Sequence, residues 1–550
     1  MSLFEERSAQ MFPRLGEAQV ARIAAHATRR RVHTGDVLFH EGEVNRHFFV
    51  VLAGSVAVVQ RGGDGERPIV VHEAMQFTGE FDMLTGRPTI HRGQVVSDGE
   101  VLALDHAQFR NLVLADSELS DVIMRAFILR RMALLEQSWG GIVLVGSRFS
   151  ADTLRLKEFL RRNGEPYSSL DVEHDPGVQV LLDRFHVSVT DVPVIVCGGD
   201  KVLRNPSNEA LADCLGWTTS IDEVRVRDLV VVGAGPAGLA AAVMAASEGL
   251  DTLVIEGNAP GGQAGSSSKI ENYLGFPTGI SGEALAGRGV TQAEKFGAEI
   301  AIPRHAEKLD CARRPYAIHV RGHGTVRARA VIIASGVSYR KLALPDLPRF
   351  EGVGIYYAAT AVEARVCGDE EVAVIGGGNS AGQAAVYLSG SARHVHVLVR
   401  AGGLAESMSR YLVRRIEETP NITLHVRTEM EALEGDGHLE RVRWRQRDGA
   451  AEEHGIRHVF TMTGATPHTD WLRGCIALDA KGFVKTGPEL SPDERDAFPR
   501  PNGRPPHLLE TSRPGVFAVG DVRAGSVKRV ASAVGEGSVC IQLVHRCLQE

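Results

Sequence analysis

The chain has 550 residues; with domains of about 150 residues and single cores rarely passing ~300, it holds about three or four domains rather than one small binding module. Its 61 Lys and Arg against 68 Asp and Glu give a net charge of −7, and without a basic run or an acidic tail the footprint of a nucleic-acid or anionic-membrane binder is missing. The composition, 43% hydrophobic and 23% charged, is that of a soluble globular chain, while 60 Gly, well above the usual ~7%, point to nucleotide-cradling loops.

Residues 1–138 read as a small β-roll: the apolar runs HFFVVL, SVAVVQ, PIVVHE and EVLALD alternate with Gly/Asp turns, and a helical tail follows with Val122, Ile123, Ala126, Phe127 and Leu129 at helical spacing. Residues 139–222 alternate strand (GIVLVG), helix (ADTLRLKEFLRRNG), strand (YSSLDVE), helix (VQVLLDRF), strand (VPVIVCGG) and helix (NEALADCLGW), the order of a compact α/β sandwich. The stretch Leu229 to Ser247 is long and uncharged but contains GAGPAG, so it is a strand, turn and helix and not a membrane span.

Two dinucleotide-type units follow. In the first, an apolar strand leads into Gly233-x-Gly235-Pro236-Ala237-Gly238, an alanine-rich helix, and a second strand ending at Glu256. Glycines there let the backbone approach a pyrophosphate at a helix N-terminus, and the acid accepts from a ribose diol. The second unit carries Gly376-x-Gly378-Asn379-Ser380-Ala381, but its second strand ends in Arg400. A guanidinium pairs with a 2′-phosphate that a carboxylate would repel, which favours NADPH over NADH.

Together with GGQ (261–263), IENYLGFP (270–277), IIASG (332–336) and GVFAVGD (515–521), these loops make residues 227–550 resemble the low-molecular-weight thioredoxin reductase family. The expected fold class is therefore multidomain: the β-roll, the α/β module, and two nested Rossmann-like domains, one at 223–343 and 458–550 and the other at 344–457. The resemblance implies that Gly233, Gly235, Pro236, Ala237 and Gly238 hold the FAD pyrophosphate and Glu256 its ribose. Gly262, Gln263 and Asn272 would lie on the flavin side, with Ser335 and Gly336 nearby and Gly520 and Asp521 at the ribityl chain. Lys528, Arg529, Val530 and Ala531 would open a helix toward the flavin, whose N-terminal dipole favours the anion formed on reduction. Gly376, Gly378, Asn379, Ser380, Ala381 and Arg400 would hold NADPH.

The family pattern fails at its thiols. Aligning EGVGIYYAATAVEA with the family's redox CxxC puts Ala358 and Ala361 where the cysteines would be. Residues 139–217 resemble a thioredoxin or glutaredoxin fold, with Pro193 at the cis-proline position, yet the helix-opening pair is Ser147 and Ser150. Neither pair can cycle through a disulfide. Seven cysteines, Cys197, Cys214, Cys311, Cys367, Cys475, Cys540 and Cys547, with no CxxC among them, look too scattered for a disulfide framework or a zinc site. Cys540 and Cys547 are ~10 Å apart along one helix, so no pair within the chain is expected, the cysteines read as packing residues, and a reducing, cytoplasmic setting is expected.

Residues 10–138 resemble a cyclic-nucleotide-binding domain, FTGEFDMLTGRP standing at its phosphate cassette. Gly79 and Glu80 match the cassette start, but Thr89 replaces its arginine, so the charge-assisted phosphate contact is lost unless Arg87 or Arg92 reaches in. The three modules in this order resemble bacterial FAD-dependent oxidoreductases, homodimeric in expectation, with no metal. The leading expectation is hydride transfer from NADPH to FAD and on to a small redox protein, a quinone or dioxygen; the alternative is a flavin redox sensor or scaffold with negligible turnover.

Overall fold

The computed structural model describes residues 8–550 apart from 45–46, 63–64, 80–86, 90, 137–140, 148–149, 174, 176–177, 179–187, 189–190, 198–200, 218–221, 268, 358, 360, 405–407 and 437. Contacts divide the chain into two compact units: residues 1–147, 159–220 and 291–298 form one, and residues 148–158, 221–290 and 299–550 the other.

In the first unit the β-roll is an antiparallel sheet in which Thr28–Val32, Arg92–Asp105, His47–Gly62 and Gly65–His72 lie side by side. Successive side chains of a strand face opposite ways, and His47–Gly62 uses both faces. Phe48 and Val50 enter a core with Phe109 and Phe127 from the helices His106–Ala115 and Ser117–Glu136, while Phe49 and Val51 enter a second core with Val32, Val95 and Val101. Asp105 caps the first of these helices by accepting from the Gln108 N–H at 2.8 Å, which ends the strand and starts the helix at one residue.

The α/β module has a four-stranded sheet in the order Lys201–Arg204, Val194–Cys197, Ile142–Gly146, Ser168–Asp171. Ile142–Gly146 pairs in parallel with Ser168–Asp171 and antiparallel with Val194–Cys197. The Val192–Pro193 peptide is cis, and the helix Asn208–Cys214 is capped by Ser207, which accepts from the Ala210 N–H at 3.1 Å. Of the helix expected at VQVLLDRF, all but Val178 lies outside the described residues.

In the second unit the first dinucleotide fold has a seven-stranded sheet, with Val226–Val232 parallel to Thr252–Ile255 on one side and to Thr325–Ile333 on the other. The run LVVV is fully apolar because both faces of this strand are covered: Leu229, Val230, Val231 and Val232 are all buried. The second fold has a five-stranded parallel sheet in the order Ile355–Tyr356, His458–Thr461, Glu371–Ile375, His394–Val399, Ile422–Val426, beside a three-stranded meander of Thr428–Glu434, Arg441–Gln446 and Ala451–His454. Val337–Tyr339 pairs with Ala465–Pro467 where the chain crosses between the two folds.

Two expectations are corrected here. A boundary at residue 457 assigns His458–Thr461 to the first dinucleotide fold, but this strand pairs with Glu371–Ile375 inside the second sheet. Its Val459 and Phe460 are buried in the cores of that fold, and the crossover comes only at Ala465–Pro467. The cysteines are not all free: Cys311 and Cys475 form a disulfide, their Cα atoms 6.0 Å apart across 164 residues of sequence. Both are buried in the core of the first fold, where the end of the strand Ala306–Asp310 meets the turn after Asp470–Leu472. Among the described residues no helix is long and apolar enough to cross a membrane.

Candidate functional site

The first glycine loop leaves Val226–Val232 with Gly233 at φ 109°, in the left-handed region that side chains avoid, and a Cβ there would collide with the Ala334 carbonyl. Gly238 sits one turn into the helix Pro236–Ser247, where a Cβ would run into the Gly233 carbonyl; Gly235 is the N-cap and Pro236 fills the first helical position. Ala237 is buried in that first turn. At the end of the adjacent strand the Glu256 carboxylate accepts from the Ala234 N–H at 2.8 Å and the Asn258 N–H at 2.9 Å. The acid is thereby fixed to the loop it is expected to serve.

Other segments close around this loop. Gly262 opens the short helix Gly262–Gly265, with Gly235 its nearest neighbour, and the Gln263 amide donates to the Val337 carbonyl at 3.2 Å. Ser335 donates to the His468 carbonyl at 2.7 Å, and Gly336 accepts from the His468 N–H. Asn272 lies exposed in the turn 271–279. Gly520 and Asp521 follow the strand Val516–Ala518, and burial pushes the Asp521 carboxyl up against the pull of Lys528, whose ammonium donates to the Asp521 carbonyl at 3.0 Å. The helix Val530–Gln549 begins with Arg529 as its N-cap and Val530 and Ala531 in its first turn, without a side-chain cap, so first-turn N–H groups are left for a ligand or water.

Sequence reasoning missed two residues that hold this arrangement. Glu536 accepts from the Gly520 N–H at 2.7 Å and from Arg523 at 2.7 Å, tying the Asp521 turn to the terminal helix. Gly537 lets that helix touch the glycine-loop helix: a Cβ there would collide with the Ala237 carbonyl. A glycine inside a helix is the one signal that could have pointed to it.

In the second loop Gly376 has φ 144°, and a Cβ would press on the Met462 carbonyl; Gly378 is the N-cap of the helix Asn379–Leu388 and has open space at its Cβ position. Asn379 accepts from the Ser409 N–H at 2.7 Å, Ser380 follows it in the first turn, and Ala381 is fully buried against Gly376. Arg400 is exposed where His394–Val399 ends. Arg427, missed from sequence, stands beside that turn, its N–H donating to the Ala401 carbonyl at 3.0 Å. Both loops present what a dinucleotide needs: a bare backbone at a helix N-terminus and, near it, an oriented carboxylate in one case and an exposed guanidinium in the other.

The residues aligned with the family's thiols are Ala358 and Ala361, and those at the helix-opening pair are Ser147 and Ser150. Ala361 starts the helix Ala361–Val366, and Ala358 lies outside the described residues. Ser147 donates to Glu173 at 2.8 Å, and Ser150 accepts from the Thr153 N–H at 3.3 Å. Contrary to the expectation of no pair within the chain, Cys311 and Cys475 are bonded. Burial raises the thiols of Cys540 and Cys547, the latter to about 12.

In the β-roll Gly79 is buried and its carbonyl accepts from Arg130 at 2.8 Å, while Glu80 lies outside the described residues. The buried Thr89 hydroxyl is within 2.8 Å of the His40 carbonyl and 3.0 Å of the His91 carbonyl. Arg87 donates to the Asn163 carbonyl and lies 4.3 Å over the Trp217 ring, and Arg92 donates to Gln94.

Residues 227–537 match the family described as pyridine nucleotide-disulphide oxidoreductase, and residues 29–116 match the cyclic nucleotide-binding domain. The chain is 32% identical over 370 residues to NADPH-dependent thioredoxin reductase 3 of Arabidopsis thaliana, covering 64% of this chain and 66% of that protein. Against thioredoxin reductase of Bacillus subtilis it is 31% identical over 331 residues, 60% of this chain and 97% of the relative. Among solved structures, Lactococcus lactis thioredoxin reductase in its FR conformation aligns with a TM-score of 0.52 at 26% identity, over 58% of this chain and 99% of that one. T. acidophilum thioredoxin reductase gives 0.52 at 27%, with the same coverage. Thioredoxin reductases bind FAD and NADPH, and the two glycine cradles fit them in that order. With its reductase motifs in sequence, its glycine loops at two helix N-termini and these matches, the chain belongs to the pyridine nucleotide-disulphide oxidoreductase family, as a thioredoxin reductase-like flavoprotein with a cyclic nucleotide-binding domain ahead of the reductase fold.

Proposed function

We propose that this flavoprotein takes reducing equivalents from NADPH through FAD to an acceptor other than a disulfide of its own: a small redox protein, a quinone or dioxygen. This reading is carried by Ala358 and Ala361, which our alignment sets against the family's thiols, since a methyl group neither attacks nor receives a disulfide. No nearby thiol substitutes among the described residues: Cys367 is fully buried, its thiol pushed up to about 12 by burial. The Cys311–Cys475 disulfide is itself buried, at 9% and 6% exposure, and closed to a protein partner.

The chain's own residues have distinct tasks in this reading. Gly233, Gly235 and Gly238 admit the FAD pyrophosphate, Glu256 orients the ribose, and the uncapped turn at Val530 faces the flavin. Gly376 and Gly378 admit the NADPH pyrophosphate and Arg400 meets the 2′-phosphate. FAD, when bound, supplies the two-electron chemistry that no side chain here can. We read residues 139–222 as a thioredoxin-like fold that has lost its helix-opening pair.

The test is anaerobic mixing with NADPH followed by an acceptor panel. Flavin bleaching, then reoxidation by a ferredoxin or flavodoxin, a quinone or dioxygen but not by oxidised thioredoxin, is expected. Steady turnover with thioredoxin refutes the acceptor assignment, and absence of bleaching refutes the enzyme. For the N-terminal domain, calorimetric titration with cyclic AMP is expected to show weak or no binding, because Thr89 and Arg87 are engaged with protein groups; micromolar affinity overturns that.

A further inference from the structure

The parallel sheet of the second dinucleotide fold carries histidines where such a sheet is ordinarily apolar. Parallel strands covered on both faces read as unbroken hydrophobic runs, yet His394–Val399 alternates as HVHVLV. Val395, Val397 and Val399 pack in the core with the helix Asn379–Leu388, while Leu398 joins Leu433, Val442 and Trp444 on the face covered by the three-stranded meander. By that alternation His394 and His396 face the meander as Leu398 does. The neighbouring strands agree. Ile422, Leu424 and Val426 pack on the helix side, which turns Thr423 and His425 toward the meander, and Val372 and Val374 do the same for Glu371.

Under the meander these side chains meet. His396 Nδ1 and His425 Nε2 are 3.0 Å apart, and His396 Nε2 is 3.4 Å from the Glu371 carboxylate, which also accepts from Arg393 at 3.2 Å. The Trp444 ring lies 5.5 Å from that of His396 and 5.3 Å from that of His425. Stacked on Trp444 at 3.8 Å is His454, whose buried Nε2 makes no hydrogen bond and stands 3.5 Å from the Glu452 carboxylate. His394 flanks the pair, its ring 4.7 Å from that of His396 and its Nε2 2.8 Å from the Thr423 hydroxyl.

A carboxylate on one nitrogen of an imidazole decides what the other nitrogen can do. With His396 Nε2–H donating to Glu371, Nδ1 keeps its lone pair and points at His425; a carboxylate behind a histidine in this way fixes the tautomer and raises the basicity of a metal ligand. Two imidazole nitrogens at about 2.0–2.1 Å from one tetrahedral zinc stand about 3.3–3.4 Å apart, so the rings need part by only a few tenths of an ångström. Burial, more than any neighbouring charge, lowers both imidazoles, that of His396 to about 4, and both are neutral at pH 7. We propose that His396 Nδ1 and His425 Nε2 bind a zinc-class divalent cation, with Glu371 as positioning residue and water completing the tetrahedron. On binding, His425 carries its proton on Nδ1 in place of Nε2, and none is released. Another cluster of ligand atoms, His507, Glu510 and Cys547 within 4.8 Å of one another, is already served by a cation: Arg504 donates to Glu510 at 2.7 Å and to Cys547 at 3.0 Å.

The test titrates the chelator-treated full-length flavoprotein with zinc chloride at neutral pH by calorimetry and records X-ray absorption of the one-to-one complex. One saturable site is expected, its first shell two imidazole nitrogens and two oxygens at about 2.0–2.1 Å. Glu371→Ala is expected to weaken binding roughly 10-fold, and His396→Phe and His425→Phe each by more. Glu371→Gln, whose carbonyl still accepts from Nε2–H, is expected to keep most of the affinity that Glu371→Ala loses, and His507→Ala all of it. The wild-type absorption spectrum decides alone if a variant fails to fold. Absence of saturable binding, a sulfur shell at about 2.3 Å, or full affinity in either histidine variant overturns the site, and full affinity in Glu371→Ala overturns the role of Glu371.

Discussion

Replacing Arg400 by alanine tests how the second dinucleotide loop selects its ligand. Arg400 is exposed at the end of His394–Val399, the strand that pairs with the one leading into the glycine loop, so the contact proposed for it with a 2′-phosphate is charge-assisted but partly solvated. A charged hydrogen bond contributes about 1.5–3 kcal/mol in a shielded site, and exposed ion pairs about 0.2–1 kcal/mol. For a half-shielded phosphate about 1–2 kcal/mol is expected, or about 5- to 30-fold in affinity. Arg427, whose backbone bonds to Ala401, leaves a second cation beside the turn and keeps the loss below the upper figure. The assay is titration of the flavoprotein with 2′,5′-ADP and with 5′-AMP, followed by flavin fluorescence and calorimetry. Loss confined to 2′,5′-ADP is expected; equal weakening of both ligands, or of neither, refutes the role assigned to Arg400.

Gly537→Ala puts a methyl group against the Ala237 carbonyl; about 1–3 kcal/mol of overpacking and a lowered flavin-to-protein absorbance ratio are expected, and a normal ratio with unchanged Tm would show that the two helices part freely. Glu510 is fully buried, accepting from Arg504 at 2.7 Å and 3.1 Å and from the Gly515 N–H at 2.8 Å; burial opposes its ionised form, yet these donors hold its carboxyl below the ordinary range. Glu510→Ala therefore removes the carboxylate partner of the buried Arg500 and of the partly buried Arg504, which keeps Glu550, and is expected to cost about 3 kcal/mol in urea unfolding. Burial, resisted by Glu371, holds the His396 imidazole at about 4, against ~6.5 in an unfolded chain. Between those values the unfolded state binds the extra proton, so stability falls as pH falls from 6.5 toward 4, by up to about 1.4 kcal/mol per unit. Comparing wild type with His396→Phe at pH 7 and pH 5, the variant is expected to lose less on acidification; equal losses exclude His396 as the source.

The reductase fold was legible because its signals are local. An apolar strand, glycines at set spacing and a helix lie within about thirty residues of each other, and each glycine answers a nearby steric demand, as Gly238 does to Gly233. Arg400 and Glu256 were found for the same reason, each standing at the end of the strand that follows its own loop. The absence of any CxxC was also a matter of sequence alone, since no packing supplies sulfur to an alanine or a serine.

Tertiary structure decided what depends on distant segments meeting. The 164 residues between Cys311 and Cys475 carry no local trace of their pairing, which arises because a sheet strand and a turn from opposite sides of the inserted fold share one core. His458–Thr461 looks from sequence like the start of the returning domain, and only strand pairing with Glu371–Ile375 assigns it to the inserted one. Glu536 and Gly537 act through contacts with Gly520 and Ala237. Local steric and chemical rules sufficed to pick out the two glycine loops at helix N-termini; which thiols, carboxylates and helices stand together was determined by packing between residues that sequence spacing does not relate.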